Sequence, residues 1–546
     1  MWLIVALQAL LMTCTTVLYP AFQNPDEAAH VDYVLAHRHG EWFDGTGERQ
    51  YQSGVKAAVS LVPSIQFGTH VGKATPVPRS QRPSFDALGT EPAQSPIPNQ
   101  MTQHPPLYYG LAAVFSYLLP HFADRRFDVQ VAWLRLLSVL LLLPVPLLIF
   151  SASRWATGSR WVGLTAAALP LSIPSYLRTG AAVNNDSLML LSSAVLAALL
   201  VRVAFGDLRR SIAVLVGLAW AAALLSKGFA LVMPPAIALA YLAGTSGRLR
   251  QRLAMSWRPV LLAGAIGTAL GGWWWVRNLV VYGAVQPDGL EDLSDAVRQQ
   301  VFGRDRDGAT ELNFLVNFLR LLGARAWGSI GLIDEPSLAH WLLYPIAFAA
   351  VLATLAGVVA GSRRVRGRSA WLQGIGWRLD RSVSLLLPAL LTAAVMYLGA
   401  RPRYLRGHQL AGDQARYLLP AMLGLLICMS VALCLVAGRR ARWVPPASLT
   451  AALVFAAMSA YRLLDVDMSD ASPSRRDRMS SALHYVIGWA PVPGLLTVLV
   501  LILTGLTALA AVLASWLGAA RDGAGQPGVA APDTSFPADV ARLRLS

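Results

Sequence analysis

The chain has 546 residues, of which 55% are hydrophobic and 14% are charged. A soluble domain has about 25% charged residues, so this composition excludes a soluble fold. The formal net charge is +16, but the arginines lie in short segments between apolar windows, where they orient membrane helices rather than bind nucleic acid. Each of the three cysteines lies in an apolar window, which excludes a disulfide framework and a cysteine zinc site.

Apolar windows of about 17 to 25 residues, the length that crosses the hydrocarbon core, recur along the chain. We therefore predict an all-α, polytopic transmembrane bundle of about twelve helices, the first of which is retained because it lacks the basic start of a cleaved signal. The predicted spans are roughly 2–19, 131–152, 161–177, 187–204, 211–225, 229–243, 259–276, 338–360, 383–399, 417–437, 444–462 and 494–517.

The arginines fix the expected orientation of these spans. With both termini inside, every predicted cytoplasmic loop is arginine-rich, as the positive-inside rule requires. These arginines are Arg154, Arg160, Arg209, Arg210, Arg248, Arg250, Arg252, Arg258, Arg363, Arg364, Arg366, Arg368, Arg439, Arg440 and Arg442. The protein is thus expected in the plasma membrane.

The segment from His104 to Pro120 is apolar but short, with prolines at its start. If it crossed the membrane, every later arginine cluster would lie outside. We therefore predict an interfacial helix within a large first extracytoplasmic loop, with Tyr108 and Tyr109 at the headgroups.

The organisation predicted from these spans is one transmembrane domain over residues 1–520, followed by a disordered cytoplasmic tail, 521–546. The outer loops cover about 20–130, 277–337 and 463–493. A Pro-, Ser- and Gln-rich stretch from Thr75 to Gln103 in the first loop is expected to be irregular or mobile.

Polar residues follow the first span immediately, in the order Asn24, Pro25, Asp26, Glu27, Ala28, Ala29, His30. Asn24 is expected to cap a helix that begins at Pro25. Helical spacing then lets Asp26, Glu27 and His30 converge on one site just outside the membrane. Acids in a first helical turn are also common caps, so capping alone remains an alternative.

Further polar groups lie in other predicted outer loops, and several are cations that orientation alone does not require there. Anion binding explains them, although Arg135 and Lys227 could instead snorkel to the interface. Carboxylates beside cations suit a reaction in which a hydroxyl is deprotonated while a phosphate leaves. The polar groups are Gln103, His104, Arg135, Arg178, Asn184, Asn185, Asp186, Lys227, Arg277, Asn278, Arg403, Gln414, Arg416 and Tyr417.

Several of these motifs, in this order, resemble a bacterial family of multi-span proteins long catalogued as of unknown function. That family in turn resembles the GT-C superfamily of membrane glycosyltransferases, which includes protein mannosyltransferases and aminoarabinose transferases. The resemblance covers about residues 20–420. It is carried by the motif after the first span, His104 to Tyr109, Asn185 with Asp186, Arg277 with Asn278, Trp327 with Gly328, and Gln414 to Pro420.

The resemblance implies a GT-C fold and an inverting glycosyltransferase that takes a sugar from a polyprenyl-phosphate donor outside the cytoplasm. The active site would face the periplasm or cell exterior. Separately, the richness in Ala, Arg and Gly indicates a high-GC bacterium, so the expected acceptor is a cell-envelope glycan or glycolipid. Asp26 would be the base with Glu27 beside it, and Asp186 a second acid. The other residues assigned to the donor phosphate or substrate are Arg277, Arg416, Arg178, Lys227, His104, Asn185, Gln414 and Tyr417.

Two questions stay open at the level of sequence. A divalent metal (Mg, Mn or Ca) held by Asp26, His30 and Asp186 is an optional cofactor, not an obligatory one. A transporter or flippase of lipid-linked sugars is the alternative function, although it should place polar groups near the membrane midplane.

Overall fold

The structure is a computed structural model that describes residues 1–43, 45–62, 76–95, 97–287, 309–328, 338–367, 369–405 and 415–524. Over these residues it is helical without strands, apart from an isolated bridge between Gln52 and Pro92. The all-α prediction is therefore confirmed. Most of the predicted disordered tail lies outside the described residues, and the last helix reaches Ala524.

The helices of the membrane bundle correspond to the predicted spans, except Glu311–Gly328, which lies within the predicted outer loop 277–337. Their bounds are Trp2–Leu18, Phe127–Leu142, Val145–Thr157, Arg160–Ala168, Pro174–Thr179, Asp186–Ala204, Arg210–Leu224, Pro234–Gly244, Leu249–Gly271, Trp273–Tyr282, Glu311–Gly328, His340–Val359, Leu379–Leu405, Met422–Ala437, Val444–Arg462 and Gly494–Ala524. Helices outside the apolar windows are Glu27–Arg38, Ser53–Leu61, Phe85–Leu88, Leu107–Ser116, Arg363–Arg366, Ala370–Gly374 and Arg475–Trp489.

Seven helical segments of the described chain are long and apolar enough to cross a membrane. They contain eight of the twelve predicted spans, and three more coincide with the shorter apolar helices Trp2–Leu18, Arg210–Leu224 and Pro234–Gly244. The remaining span, 161–177, is broken: a 3-10 turn, Leu169–Ser172, separates two short helices. Pro170 and Pro174 have no backbone N–H to donate, so a continuous α-helix is interrupted there.

Two large apolar cores organise the described residues. The first lies among the bundle helices and includes Leu142, Ile149 and Val216. The second lies at the end of the bundle where the first span finishes, and joins helix Glu27–Arg38 to helix Leu107–Ser116 and to Arg475–Trp489. The described part of segment 20–130 is therefore packed against the bundle.

Helix Leu107–Ser116 has ten residues, which rise about 15 Å, half the thickness of the hydrocarbon core. The expectation that Tyr108 and Tyr109 face the headgroups is wrong, because both are fully buried. The Tyr108 hydroxyl accepts a hydrogen bond from the Asn184 backbone N–H at 3.0 Å. The polar ends of both tyrosines thus bind inside the protein. The exposed apolar residues of this segment are Leu107, Leu111, Val114, Tyr117 and Leu118.

The stretch from 76 to 103 is irregular as expected, but its described part is well anchored. Arg79 Nε donates to the Ala490 carbonyl oxygen at 3.0 Å, and Arg82 Nη1 donates to Asp128 at 2.6 Å. Arg82 also donates to the carbonyl oxygens of Gly488 and Trp489. These arginines bind carbonyls at the C-terminal end of helix Arg475–Trp489, where cations are favoured by the helix dipole.

Candidate active site

Asp26 is the N-cap of helix Glu27–Arg38 and has a left-handed backbone, with φ 59° and ψ 7°. The predicted start at Pro25 with Asn24 as the cap is therefore wrong. The Asp26 carbonyl oxygen accepts the His30 backbone N–H at 3.0 Å and begins the helical hydrogen bonds. Aspartate is among the few non-glycine residues that adopt this conformation readily, and strained backbone is typical of functional sites.

Glu27 occupies a buried ion pair instead of an open site. Its carboxylate accepts hydrogen bonds from Arg135 Nε at 2.8 Å and Nη2 at 2.6 Å. It also accepts the backbone N–H groups of Phe22 and Val183, at 2.9 and 3.0 Å. Both of its oxygens therefore accept hydrogen bonds from within the protein. These contacts make Glu27 an anchor for Asp26, the residue before it.

Arg135 does not snorkel to the interface. It is 2% exposed and donates to the backbone carbonyls of Thr16, Tyr19 and Pro20 at 2.6 to 2.9 Å, besides its bonds to Glu27. A planar guanidinium with five donors suits such a set of acceptors. The pair therefore fixes the connection between the first span and helix Glu27–Arg38, which sets the position of Asp26.

A row of alternating charges lies beside Asp26. Arg416 Nη2 donates to Asp26 Oδ2 at 2.9 Å, and Arg416 Nε lies 3.7 Å from Asp186 Oδ2. Lys227 Nζ donates to Asp186 Oδ1 at 2.5 Å. The side chains of Arg416, Asp186 and Lys227 are 7 to 10% exposed, whereas that of Asp26 is 35% exposed. We call Asp26, Arg416, Asp186 and Lys227 the charge row.

Four separate elements bring the charge row together. Asp186 is the first residue of helix Asp186–Ala204, a position that favours a carboxylate because of the helix dipole. Lys227 follows helix Arg210–Leu224 and precedes the 3-10 turn Gly228–Val232. Arg416 lies in the 3-10 segment Ala415–Ala421, which leads into helix Met422–Ala437. Lys227 is thus held inside the protein by a carboxylate, which excludes a snorkelling role.

Two neighbours support the row. The Tyr417 ring lies 4.8 Å from Lys227 Nζ and 5.5 Å from the Arg416 guanidinium carbon, distances typical of cation–π contacts. Asn185 is fully buried and donates to the Ser226 carbonyl oxygen at 3.0 Å. Asn185 therefore ties the start of one helix to the residue before Lys227.

His30 and His104 are buried near the charge row. Burial, reinforced by the positive charge of Lys227, lowers the pKa of each imidazole to about 3. Both rings are therefore neutral at physiological pH. His30 Nδ1 lies 3.0 Å from the Tyr109 hydroxyl, and the two rings stack at 5.9 Å. The contact of Tyr109 with His30 is not evident from the sequence, in which a pair of tyrosines is typical of the membrane interface.

The remaining predicted residues do not join the charge row in the described contacts. Arg277 lies over the rings of Trp274 and Tyr282, at 4.9 and 5.5 Å, and donates to Asn278. Arg178 is 5% exposed and hydrogen bonds to the Tyr19 side chain. Gln414 lies outside the described residues.

The suggested metal site is not assembled in the described part of the chain. Those residues contain no group of three or more His, Cys, Asp or Glu side chains placed to hold a metal ion. Asp26 and Asp186 instead form ion pairs with two nitrogens of the same guanidinium, that of Arg416, at 2.9 and 3.7 Å. The cation that these two carboxylates share in the structure is therefore Arg416.

The family profile described as "Predicted membrane protein (DUF2142)" matches residues 10–425. The chain belongs to this family. The match spans more than half of the protein and contains the whole charge row, which agrees with the extent of the resemblance seen in the motifs. No curated protein matches the sequence.

Among solved structures, this DUF2142 protein is similar to ArnT from Cupriavidus metallidurans bound to undecaprenyl phosphate, with a TM-score of 0.45 and 14% identity over 93% of this chain and 77% of ArnT. It is also similar to the oligosaccharyltransferase AglB from Archaeoglobus fulgidus in complex with an inhibitory peptide and a dolichol-phosphate, with a TM-score of 0.43 and 11% identity over 89% of this chain. The match spans 63% of AglB, less than two thirds of its length. ArnT and AglB are both GT-C proteins.

Proposed function

We propose that this DUF2142 protein is an inverting GT-C glycosyltransferase that moves a sugar from a polyprenyl-phosphate donor to a cell-envelope acceptor. The observation that carries the proposal is the charge row, in which a partly exposed carboxylate, Asp26, contacts the buried cation Arg416, and a second buried cation, Lys227, binds the next carboxylate, Asp186. Such an arrangement can accept a proton from a hydroxyl and stabilise a departing phosphate within one site.

In the proposed reaction, an acceptor hydroxyl oxygen attacks the anomeric carbon from the face opposite the lipid phosphate. The new C–O bond forms as the bond between the anomeric carbon and the phosphate oxygen breaks, so the configuration inverts. The hydroxyl proton passes to the Asp26 carboxylate, and the bonding electrons leave with the polyprenyl phosphate. Arg416 and Lys227 stabilise the negative charge on that phosphate.

The site is proposed to face the periplasm or cell exterior, on the basis of where charges lie along single helices. Helix Asp186–Ala204 begins at the charge row and ends before Arg209, and helix Arg210–Leu224 returns from there to Lys227. Helix Met422–Ala437 likewise runs from the segment that contains Arg416 toward Arg439. The arginine clusters thus occur at the helix ends away from the site, and such clusters mark the cytoplasmic side.

The test is single-turnover transfer from a panel of polyprenyl-phosphate sugars by purified protein in lipid nanodiscs. We expect Asp26→Asn to reduce the rate by about 10² to 10⁴, the usual contribution of a general base. Glu41→Gln is the matched control, because it removes the same charge from an exposed carboxylate of the same loop. Wild-type transfer rates in Asp26→Asn would refute the assignment of the base. Movement of lipid-linked sugar across a liposome membrane without transfer would instead favour a flippase.

A further inference from the structure

The contact between Asp26 and Arg416 has a consequence for substrate binding. The proposed base and a proposed phosphate-binding cation are direct partners at 2.9 Å. A phosphate that binds Arg416 therefore shares the guanidinium with Asp26, and the two negative charges repel each other. We infer that the donor phosphate displaces Asp26 from Arg416 and thereby frees the carboxylate to accept the proton of the acceptor hydroxyl.

The charges of the site support this exchange. Two carboxylates and two cations make the charge row formally neutral. The nearby imidazoles of His30 and His104 add no positive charge, since burial holds them neutral. The row therefore has no unpaired positive charge for an incoming phosphate, and a cation becomes available when one of the carboxylates moves away from it.

Asp26 is the carboxylate that can yield. Its side chain is 35% exposed, so water can solvate it after it leaves Arg416. Asp186 is 7% exposed, accepts a hydrogen bond from Lys227 at 2.5 Å and forms an ion pair with Arg416. If Asp186 left Arg416, its negative charge would be poorly solvated. Once free, Asp26 loses a neighbouring positive charge and gains a neighbouring phosphate. Both changes make it a stronger proton acceptor.

This inference rests on the proposed function, and it predicts an unusual phenotype. Removing the catalytic carboxylate should strengthen binding of the donor lipid, because the phosphate no longer competes with Asp26 for Arg416. We expect Asp26→Asn to bind polyprenyl phosphate at least 3-fold more tightly than the wild type. Asparagine tolerates the left-handed backbone of this position, and Asp26→Gly provides a second variant that lacks the carboxylate.

The experiment is a titration of the wild type and of both variants in nanodiscs with farnesyl monophosphate, whose binding is followed by thermophoresis. The control is Glu41→Gln, which is expected to bind as the wild type does. Tighter binding by both Asp26 variants alone supports the exchange. Unchanged or weaker binding by them, or equal tightening by Glu41→Gln, overturns it while leaving the proposed function in place. Absence of binding by the wild type and by all variants overturns the proposed donor class as well.

Discussion

Glu27 and Arg135, 108 residues apart in sequence, form a bidentate ion pair whose side chains are 0% and 2% exposed. Glu27 directly follows Asp26, which is the one member of the charge row with a substantially exposed side chain. Because Asp26 is held between the end of the first span and an anchored Glu27, its backbone can retain a left-handed conformation. The acidic pair of the sequence thus divides into an exposed carboxylate that can react and a buried one that holds it in place.

Loss of Arg135 should destabilise the protein severely. Arg135→Gln leaves the Glu27 charge buried without a cationic partner, and breaking a buried ion pair in this way costs about 3–5 kcal/mol. We expect a large fall in melting temperature in nanodiscs. Arg154→Gln, an exposed arginine near the end of another bundle helix, should have little effect. Equal melting temperatures for the two variants would contradict the anchoring role.

Lys227 should govern the affinity for the donor. Lys227→Met removes one of the two cations of the charge row. Loss of a charge-assisted hydrogen bond to the donor phosphate costs about 1.5–3 kcal/mol, so we expect the KM for the donor to rise roughly 10- to 100-fold. Lys227→Arg keeps the positive charge and should lie between Lys227→Met and the wild type. Steady-state kinetics at varied donor concentration measure this order, and an unchanged KM in Lys227→Met would remove Lys227 from the phosphate site.

Stability should decrease as the pH falls below about 6.5. The pKa of His30 and of His104 is about 3 in the folded state and about 6.5 in an unfolded chain. Between these values the unfolded state binds more protons, so each histidine lowers the free energy of unfolding by up to about 1.4 kcal/mol per pH unit of acidification. Melting temperatures at pH 7 and pH 5 measure the effect.

The variant that tests this pH dependence is His104→Gln, which should reduce the loss of stability between pH 7 and pH 5. His121→Gln is its control, because the His121 side chain is 79% exposed. A pH dependence of stability that is identical in both variants would show that folding does not keep His104 neutral at pH 5.

The backbone of Asp26 offers a test that is independent of catalysis. Asp26→Gly and Asp26→Ala both remove the carboxylate, but only glycine adopts φ 59° without steric cost. We expect the alanine variant to be about 1–2 kcal/mol less stable than the glycine variant. Chemical unfolding in detergent micelles measures the difference. A more stable alanine variant would mean that the helix begins before Asp26.

The sequence singled out all four residues that the structure brings together in the charge row, yet misjudged several local structures. Tyr108 and Tyr109 have the composition of an interfacial pair, but their hydroxyls have partners inside the protein. Asn24 and Pro25 match a common helix start, but the helix begins two residues after Pro25. Both errors have the same origin, because local preferences of about 1 kcal/mol are overridden by buried hydrogen bonds and ion pairs.

The sequence by itself determined that the chain is an all-helical membrane protein and where most of its apolar helices lie. These properties follow from the cost of exposing polar groups to lipid, which acts on each segment separately. Only the tertiary structure decided that Arg135 binds Glu27, that Arg416 reaches Asp26 across 390 residues, and that Asp186 lies between two cations. Those pairings depend on how the helices pack. Packing brings together residues that are far apart in the chain, and the sequence around one residue does not identify its partner.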